Sequence, residues 1–255
     1  MRKLVAASVL TLGLVSLPTA AHAGSTWLVS IKSGSTQVVA GHKVVFTGTV
    51  HPQAAAAGEK VVLQEKSRPG NPWVDQTKAA IGHDGSYRIA DRPTTSFVHR
   101  YRVVMPAGSK HAKGTSPTLT VKVYAWDNLV KHPYVNPNYM WFGSVDINAV
   151  TYRHSISADI DGPASIEFNL DHKCIKLRST FGIDDDSTTG GQAEVDLISD
   201  GTTVYTHTFD LGQSQTKTVG LDAPLKIKLT AHNTSTGAGD VGKGAFATPQ
   251  VLCIH

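Results

Sequence analysis

The sequence predicts an all-β protein made of two β-sandwich domains. Short runs rich in β-branched residues alternate with Gly- and Pro-rich segments along the chain after residue 23. The second half adds strict alternation of apolar and polar residues, which is typical of strands with one buried and one wet face. A composition of 40% hydrophobic and 17% charged residues excludes disorder and coiled coil.

The first residues carry the pattern of a secretory signal peptide. Arg2 and Lys3 precede an apolar stretch from Leu4 to Leu17, and Ala21-His22-Ala23 fits the A-x-A cleavage pattern. That stretch is too short to span a bilayer, although an uncleaved membrane anchor is the weaker alternative. We therefore expect residues 1–23 to be removed after Ala23, giving a secreted protein without a membrane span.

The charge of the mature chain divides it into two unlike halves. Residues 24–125 contain 13 Lys and Arg against 5 Asp and Glu, a net charge of +8. Residues 126–255 contain 9 against 15, a net charge of −6. The change predicts one domain over 24–125 and another over 126–255. Between them, residues 127–139 carry two prolines and no periodicity, which predicts an irregular connector or an opening loop of the second domain.

The basic half predicts about seven short strands, a number that fits an immunoglobulin-like sandwich. The clearest runs are residues 43–50, 60–66, 101–104 and 119–124, and Asp84-Gly85 predicts a tight hairpin. The basic residues are spread evenly, so we expect a solvated face; binding of an anionic polymer is the alternative, and nucleic acid is not an expected partner.

The sequence of the acidic half predicts strands whose apolar and polar residues alternate more strictly than in the basic half. Apolar and polar residues alternate through residues 166–171, 175–180 and 225–231. Asp200-Gly201 supplies a second hairpin turn, joining residues 193–198 to residues 204–209.

The two cysteines, Cys174 and Cys253, are 79 positions apart. An exported chain meets an oxidising compartment, so a structural disulfide between them is expected. A catalytic cysteine is the alternative, but neither residue lies in a nucleophile motif.

Three adjacent carboxylates, Asp184, Asp185 and Asp186, lie on a Gly-rich segment that ends at Gly191. Hard oxygen ligands on a flexible loop suit Ca²⁺, so these residues are the candidate metal ligands. The spacing is not that of an EF-hand, and a solvated or capping loop is the alternative.

An aromatic group lies at the entry to the acidic half. Tyr134, Tyr139, Trp141 and Phe142 are close in sequence to polar segments. Aromatic faces can stack on the apolar C–H groups of sugar rings, which makes Tyr139, Trp141 and Phe142 the candidate ligand-binding residues. Packing of these rings into the sandwich is the alternative.

No motif for nucleophilic, zinc or nucleotide chemistry is found in the sequence. The G-x-S-x-G, H-E-x-x-H and G-x-x-x-x-G-K-[ST] patterns are lacking, and the 12 histidines show no ligand spacing. Glycoside hydrolysis would need two positioned carboxylates, which the sequence does not single out. We therefore expect no catalytic residues and no enzymatic activity.

The acidic half resembles the NPCBM family of carbohydrate-binding modules, which are appended to secreted glycosidases. The resemblance covers about residues 134–253. Four segments carry it: Tyr152 to Cys174, Phe181-Gly-Ile-Asp-Asp185, Asp200-Gly201 and the closing segment Pro249–Cys253. It implies a jelly-roll-like sandwich, non-catalytic glycan binding, a disulfide between the two cysteines and, in some members, bound calcium.

The expected function is that of a secreted, non-catalytic protein that binds glycans or a cell-surface polysaccharide. Two alternatives stay open. One is an envelope protein that reuses the sandwich for structure or protein interaction without sugar affinity. The other is a small secreted glycoside hydrolase.

Overall fold

A computed structural model describes residues 25–159 and 162–255, so the predicted signal peptide lies outside the described residues. The strands of the first half are β1 (Ser25–Thr26), β2 (Leu28–Val29), β3 (Lys32–Ser33), β4 (Gln37–Val39), β5 (Val44–His51), β6 (Lys60–Lys66), β7 (Val74–Ala80), β8 (Ser86–Asp91), β9 (Val98–Met105), β10 (His111–Ala112), β11 (Gly114–Thr115) and β12 (Leu119–Asn128). Those of the second half are β13 (Tyr134–Asn138), β14 (Met140–Ile147), β15 (Val150–Ala158), β16 (Ala164–Asn169), β17 (Cys174–Ile183), β18 (Gln192–Ser199), β19 (Thr202–Asp210), β20 (Ser214–Gly220), β21 (Lys226–Asn233) and β22 (Gly244–Cys253). The helical segments of the described ranges are α1 (Gln53–Ala56) and a 3-10 turn (Leu129–Lys131).

Over its described residues, the second half is a sandwich of two five-stranded sheets. One sheet has the order β14-β15-β22-β17-β20, and the other has the order β13-β16-β21-β18-β19. In β16 every second side chain is buried, as the alternation in the sequence predicts, and β18 shows the same alternation. These side chains form one apolar cluster in which Phe168, Phe181 and Phe246 are fully buried.

The first half has an apolar cluster of its own between sandwich-type sheets. β4, β12, β9, β6 and β7 form one layer, with β11 added to β9, while β2, β3 and β8 pair with β5. Phe46, Leu63 and Tyr101 are fully buried in this cluster. The Tyr101 hydroxyl donates to Asp91 Oδ2 at 2.8 Å, so its polar end is satisfied inside the core.

Strand β12 belongs to both halves. Residues 119–124 pair with β9 and β4, and the next four residues, Ala125–Asn128, pair with β22. The expected boundary after Ala125 therefore falls inside a continuous strand. The interpretation of residues 127–139 as an irregular connector is wrong, since they include the end of β12, the 3-10 turn and β13. Asp127 and Asn128 pair with β22 and Tyr134–Asn138 pair with β16, so this segment finds backbone hydrogen-bond partners in the sheets that a connector would have to find in water.

The two predicted hairpin turns have different outcomes. β18 and β19 are joined through Asp200 and Gly201, both with positive φ, and they pair along their length, so this hairpin is confirmed. Gly85 also has positive φ, but the strands on either side of its turn do not pair with each other: β7 pairs with β6, whereas β8 pairs with β5. The turn at Asp84-Gly85 leads the chain from one sheet to another, so the prediction of a hairpin at this turn is wrong.

The predicted disulfide is present. Cys174 and Cys253 are bonded and lie opposite each other on β17 and β22, within the core of the second half. Across the described ranges, neither helical segment is long and apolar enough to cross a membrane.

Removing this disulfide is expected to lower stability substantially. The cross-link closes a loop with a sequence separation of 79, and the chain-entropy model gives about 4 kcal/mol for a loop of that length. Guanidinium unfolding of the double variant Cys174→Ala, Cys253→Ala measures the loss. Wild-type protein unfolded with reductant is the control and should show the same shift; an unchanged midpoint in both would contradict the prediction.

Candidate functional site

The predicted aromatic residues lie where the chain crosses from one sheet to the other. β13 is in one sheet and β14 in the other, so Tyr139 occupies the corner between them. Tyr139 has φ 52°, in the left-handed region, and its carbonyl accepts from the Asp159 N–H at 2.9 Å. The corner is therefore fixed by a backbone hydrogen bond, and the Tyr139 side chain is 56% exposed.

Phe142 lies on the core side of this corner. Its ring contacts Tyr134, with centroids 4.8 Å apart, and Phe168, with centroids 6.5 Å apart. Phe142 is half-buried against the core, whereas Tyr134 is 46% exposed. The pair closes the edge of the sandwich, so the structure gives Phe142 a packing role.

Trp141 lies on the opposite face of β14, because neighbouring residues of a strand alternate. Its side chain is 37% exposed, and its indole lies against the backbone of Gly143, where a Cβ would overlap the ring. The structure therefore separates the predicted set: Tyr139 and Trp141 expose their rings, while Phe142 is half-buried on the other face. A ligand role for these residues stays a prediction.

Beyond Gly143, the β14–β15 hairpin covers the outer face of its own sheet. A register shift lies between Gly143 and Val145, and the following residues Val145 and Ile147 form a small apolar cluster with Ala245 and Ala247 of β22. The two-residue turn at Asn148 and Ala149 has positive φ at both positions. Sequence reasoning missed this hairpin because its turn contains no glycine.

Asp185 holds that turn in place. Its carboxylate oxygens accept the backbone N–H groups of Asn148 at 3.0 Å and of Ala149 at 2.8 Å. The Asp185 N–H in turn donates to Asp146 O at 2.8 Å. Asp185 therefore acts as a cap for the hairpin that covers the outer face.

Asp184 points into the protein. It is 5% exposed, and its carboxylate accepts from Ser157 Oγ at 3.2 Å and from the Asp186 N–H at 3.2 Å. Burial raises the pKa of Asp184, against the opposing effect of these two hydrogen bonds. The carboxyl is held by neutral donors and has no cation at hydrogen-bond distance among the described residues.

The three predicted calcium ligands point in different directions, and a calcium-binding role for them stays a prediction. Asp184 is directed inward, Asp185 caps a turn and Asp186 is exposed. In the described part of the chain, the one group of three acidic, histidine or cysteine residues with ligand atoms within 4.8 Å of each other is a different one, Asp127, His132 and Cys253. Calcium takes about six to eight oxygen ligands, which these three aspartates do not bring together.

The structure also gathers basic residues that the sequence shows as evenly spread. Lys60, Lys78 and Lys110 line a cavity of about 450 Å³ in the first half, beside Trp27 and His111. The Trp27 and His111 rings are stacked with centroids 4.0 Å apart, and Trp27 Nε1 is buried with no hydrogen-bond partner among the residues that the structure describes. The lysines are far apart in sequence and on separate segments, so no linear pattern predicts this cavity.

Comparison with known proteins bears on the second half. Residues 136–250 match the family described as NPCBM/NEW2 domain, which confirms the NPCBM resemblance over that range. Among curated proteins, no match is found.

Several solved structures are similar at low identity. The CBM51-2 and INT domains of Clostridium perfringens ZmpB align with 63% of this chain at 12% identity and TM-score 0.43, and this chain spans 38% of that structure. A CBM51 from Clostridium perfringens GH95, in complex with methyl-galactose, aligns with 49% of this chain and 99% of its own at 12% identity and TM-score 0.41. A CBM36 module in complex with calcium and xylotriose aligns with 50% of this chain and 98% of its own at 15% identity and TM-score 0.30. Values this low do not assign a ligand to this chain.

The buried Asp184 predicts a specific pH dependence of stability. Because burial raises its pKa in the folded state, the folded protein binds this proton more tightly than the unfolded chain. Stability should therefore fall as pH rises from the ordinary value of 3.8 through the raised pKa. Asp184→Asn removes this titration and keeps an acceptor oxygen, so its free energy of unfolding should decline less over that window.

Urea unfolding between pH 3.5 and pH 7 measures this effect, with the exposed Asp186→Asn as the matched control. If Asp184→Asn and wild type lose stability in parallel over the whole range, Asp184 is not the titrating group.

Proposed function

We propose that the second half of this protein is a non-catalytic carbohydrate-binding module that contacts sugar through Trp141 and Tyr139. The NPCBM/NEW2 match over residues 136–250 carries the proposal, since it covers both aromatic residues and nearly the whole second sandwich. The exposure of both rings at a fixed corner supports it.

The surroundings of Trp141 suit a stacking contact. An indole that already lies on the Gly143 backbone loses little freedom when a ligand packs on its other face. Phe142, the next residue, packs against the core and fixes the backbone from which Trp141 projects. Apolar faces of sugar rings match such a surface, and polar groups of the neighbouring exposed residues would set orientation.

We further propose that the chain is organised as two domains, an immunoglobulin-like spacer over residues 24–125 and the binding module over residues 126–255. The separate apolar clusters of the two halves support this division. The continuous strand β12 makes the connection between them short and stiff, because its residues hydrogen-bond in both halves.

Secretion is part of the proposal. The A-x-A pattern after an apolar stretch supports it, and so does the disulfide, because disulfides persist in oxidising compartments. The proposed partner is a glycan or cell-surface polysaccharide.

Two alternative functions make different demands on Trp141, Phe142 and Asp184. An envelope protein without sugar affinity is favoured by the separation of Phe142 from Trp141 onto opposite faces of β14. A glycoside hydrolase would need a second carboxylate across a cleft from a proton-donating one. The raised pKa of Asp184 suits a proton donor, but its hydrogen bonds direct it into the protein.

Affinity electrophoresis of residues 24–255 in gels containing polysaccharide tests the proposal. Trp141→Ala should weaken retention about 2- to 12-fold, because an aromatic stacking contact contributes roughly 0.5–1.5 kcal/mol. Tyr139→Ala should act in the same direction. The matched control is Trp73→Ala, which removes a half-buried tryptophan that stacks with Arg102 in the first half.

Equal retention of Trp141→Ala and wild type would show that sugar does not bind at the corner. No retention of the wild-type protein on any polysaccharide would favour the alternative, an envelope protein without sugar affinity. Release of reducing sugar during the same incubation would instead establish a hydrolase.

Calcium removal is expected to leave glycan retention and the melting temperature unchanged. The three aspartates do not converge, and Asp185 already uses both oxygens on the hairpin turn. Thermal unfolding with EDTA and with added CaCl₂ measures this. A calcium-dependent rise in melting temperature that Asp186→Asn removes would contradict this expectation and would indicate a metal site at Asp184, Asp185 and Asp186.

A further inference from the structure

A basic surface covers the outer face of one sheet layer in the first half. The buried residues 61 and 63 of β6, and 101 and 103 of β9, belong to the apolar cluster. Because neighbouring side chains of a strand point to opposite faces, the residues that alternate with them lie on the outer face. Five basic residues lie there, and we call them the basic face: Lys60 and Lys66 of β6, Lys78 of β7, and Arg100 and Arg102 of β9.

Strand pairing brings these positive charges together. Lys66 lies opposite Arg100, and Lys78 lies opposite Val62, the next outer residue after Lys60 on β6. Like charges on neighbouring strands of one face repel each other. Within the described ranges, none of the five basic side chains forms an ion pair. Acid groups of a ligand would therefore supply counter-charges that the fold leaves out.

Arg102 is held in place on this face. Its Nε donates to Gln64 Oε1 at 2.8 Å, and Gln64 Nε2 donates in turn to Asp75 Oδ1 at 2.7 Å. The Arg102 guanidinium also lies over the Trp73 ring, 4.2 Å from its centroid. A planar guanidinium that is fixed in advance loses little freedom when it meets an acid group.

The cavity of about 450 Å³ lies at one end of the basic face. Its charged lining residues are Lys60, Lys78, Lys110 and Glu59, of which the first two also belong to the basic face. The stacked rings of Trp27 and His111 line the same cavity. The cavity therefore combines aromatic surface, which suits the apolar face of a sugar ring, with an excess of positive charge, which suits an acid group.

We propose that the basic face and this cavity bind an anionic polysaccharide, a chain of sugar rings that carries acid groups. Net charges of +8 for residues 24–125 and −6 for residues 126–255 would direct such a polymer to the first half. From Lys60 to Lys66 the face is about 20 Å long, at about 3.3 Å per residue, so it would contact several sugar rings in a row. The inference does not rest on the proposed sugar site at Trp141 and Tyr139, which lies in the other half.

The distribution of the charges favours a polysaccharide over a nucleic acid. On the outer face of β6, the uncharged Val62 and Gln64 separate Lys60 from Lys66, whereas double-stranded DNA carries one charge per about 1.7 Å of its axis. Single-stranded nucleic acid is bound through aromatic rings on which successive bases stack. On the basic face, the guanidinium of Arg102 already covers one side of the Trp73 ring.

Isothermal titration calorimetry of residues 24–255 with polygalacturonate and with dextran sulfate tests the proposal, and the two polymers distinguish carboxylate from sulfate groups. We expect binding to at least one of them, and weaker binding as NaCl rises from about 50 mM to about 300 mM, since salt screens exposed charges. The triple variant Lys60→Gln, Lys78→Gln, Lys110→Gln should raise the Kd at least about 3-fold, because each exposed ion pair contributes a factor of about 1.4 to 5 in affinity.

The matched control is the triple variant Lys32→Gln, Lys43→Gln, Arg88→Gln. It removes the same charge from exposed residues of β3, of the segment before β5 and of β8, in the other layer of the first half. This control and Trp141→Ala should both bind the acidic polymers as wild type does, so a failure here is separate from a failure of the proposed sugar site. Circular dichroism verifies that each variant is folded.

Three results would overturn the proposal. The first is no binding of the wild-type protein to either acidic polymer. The second is an equal loss of affinity in the two triple variants, which would show that net charge alone attracts the polymer. The third is tighter binding of a single-stranded DNA oligonucleotide than of either polymer, which would favour nucleic acid as the partner.

Discussion

The pairing of β22 with three other strands is the constraint on which the rest of the second half depends. One edge of β22 pairs with β17 along nearly its whole length. The other edge pairs first with β15, through Ala245 and Phe246, and then with β12, through Gln250–Cys253. The change of partner occurs around Thr248, which has φ 45° and donates its N–H to Ser155 Oγ at 3.0 Å. A single strand thus completes the sandwich and joins it to the first half, and the disulfide fixes its last residue to β17.

The two faces of the sheet that contains β22 are covered in different ways. The inner face packs against the second sheet through large side chains such as Phe181 and Phe246. The outer face carries small residues, Ala245 and Ala247, which leave room for the β14–β15 hairpin to lie across them. Asp185 holds the tip of that hairpin, so a residue that looks like a metal ligand in the sequence is used to cover a sheet.

The sequence predicts those features that depend on neighbouring residues alone. The alternation in β16, the turn at Asp200-Gly201 and the disulfide were all predictable, because the period of a strand, the residues of a turn and the redox compartment are local or compositional properties. The partner of a strand is not local. The sequence around Gly85 contains the right turn residues for a hairpin, yet β8 pairs with β5, because pairing is decided by burial across the whole sandwich.

The same distinction explains the candidate site. Trp141 and Phe142 are adjacent in sequence, so a linear reading groups them on one platform, whereas strand alternation places them on opposite faces. This separation makes the two rings interdependent. Phe142 packs against Tyr134 and Phe168 and thereby fixes the backbone of β14 at the corner, and Trp141 projects from that backbone onto Gly143. An exposed ring on a free loop would lose conformational freedom on contact with a sugar, but a ring anchored through its neighbour has already lost it on folding. The half-buried ring therefore supports the exposed one, and the proposed recognition of a sugar at this corner would depend on the core as much as on the surface.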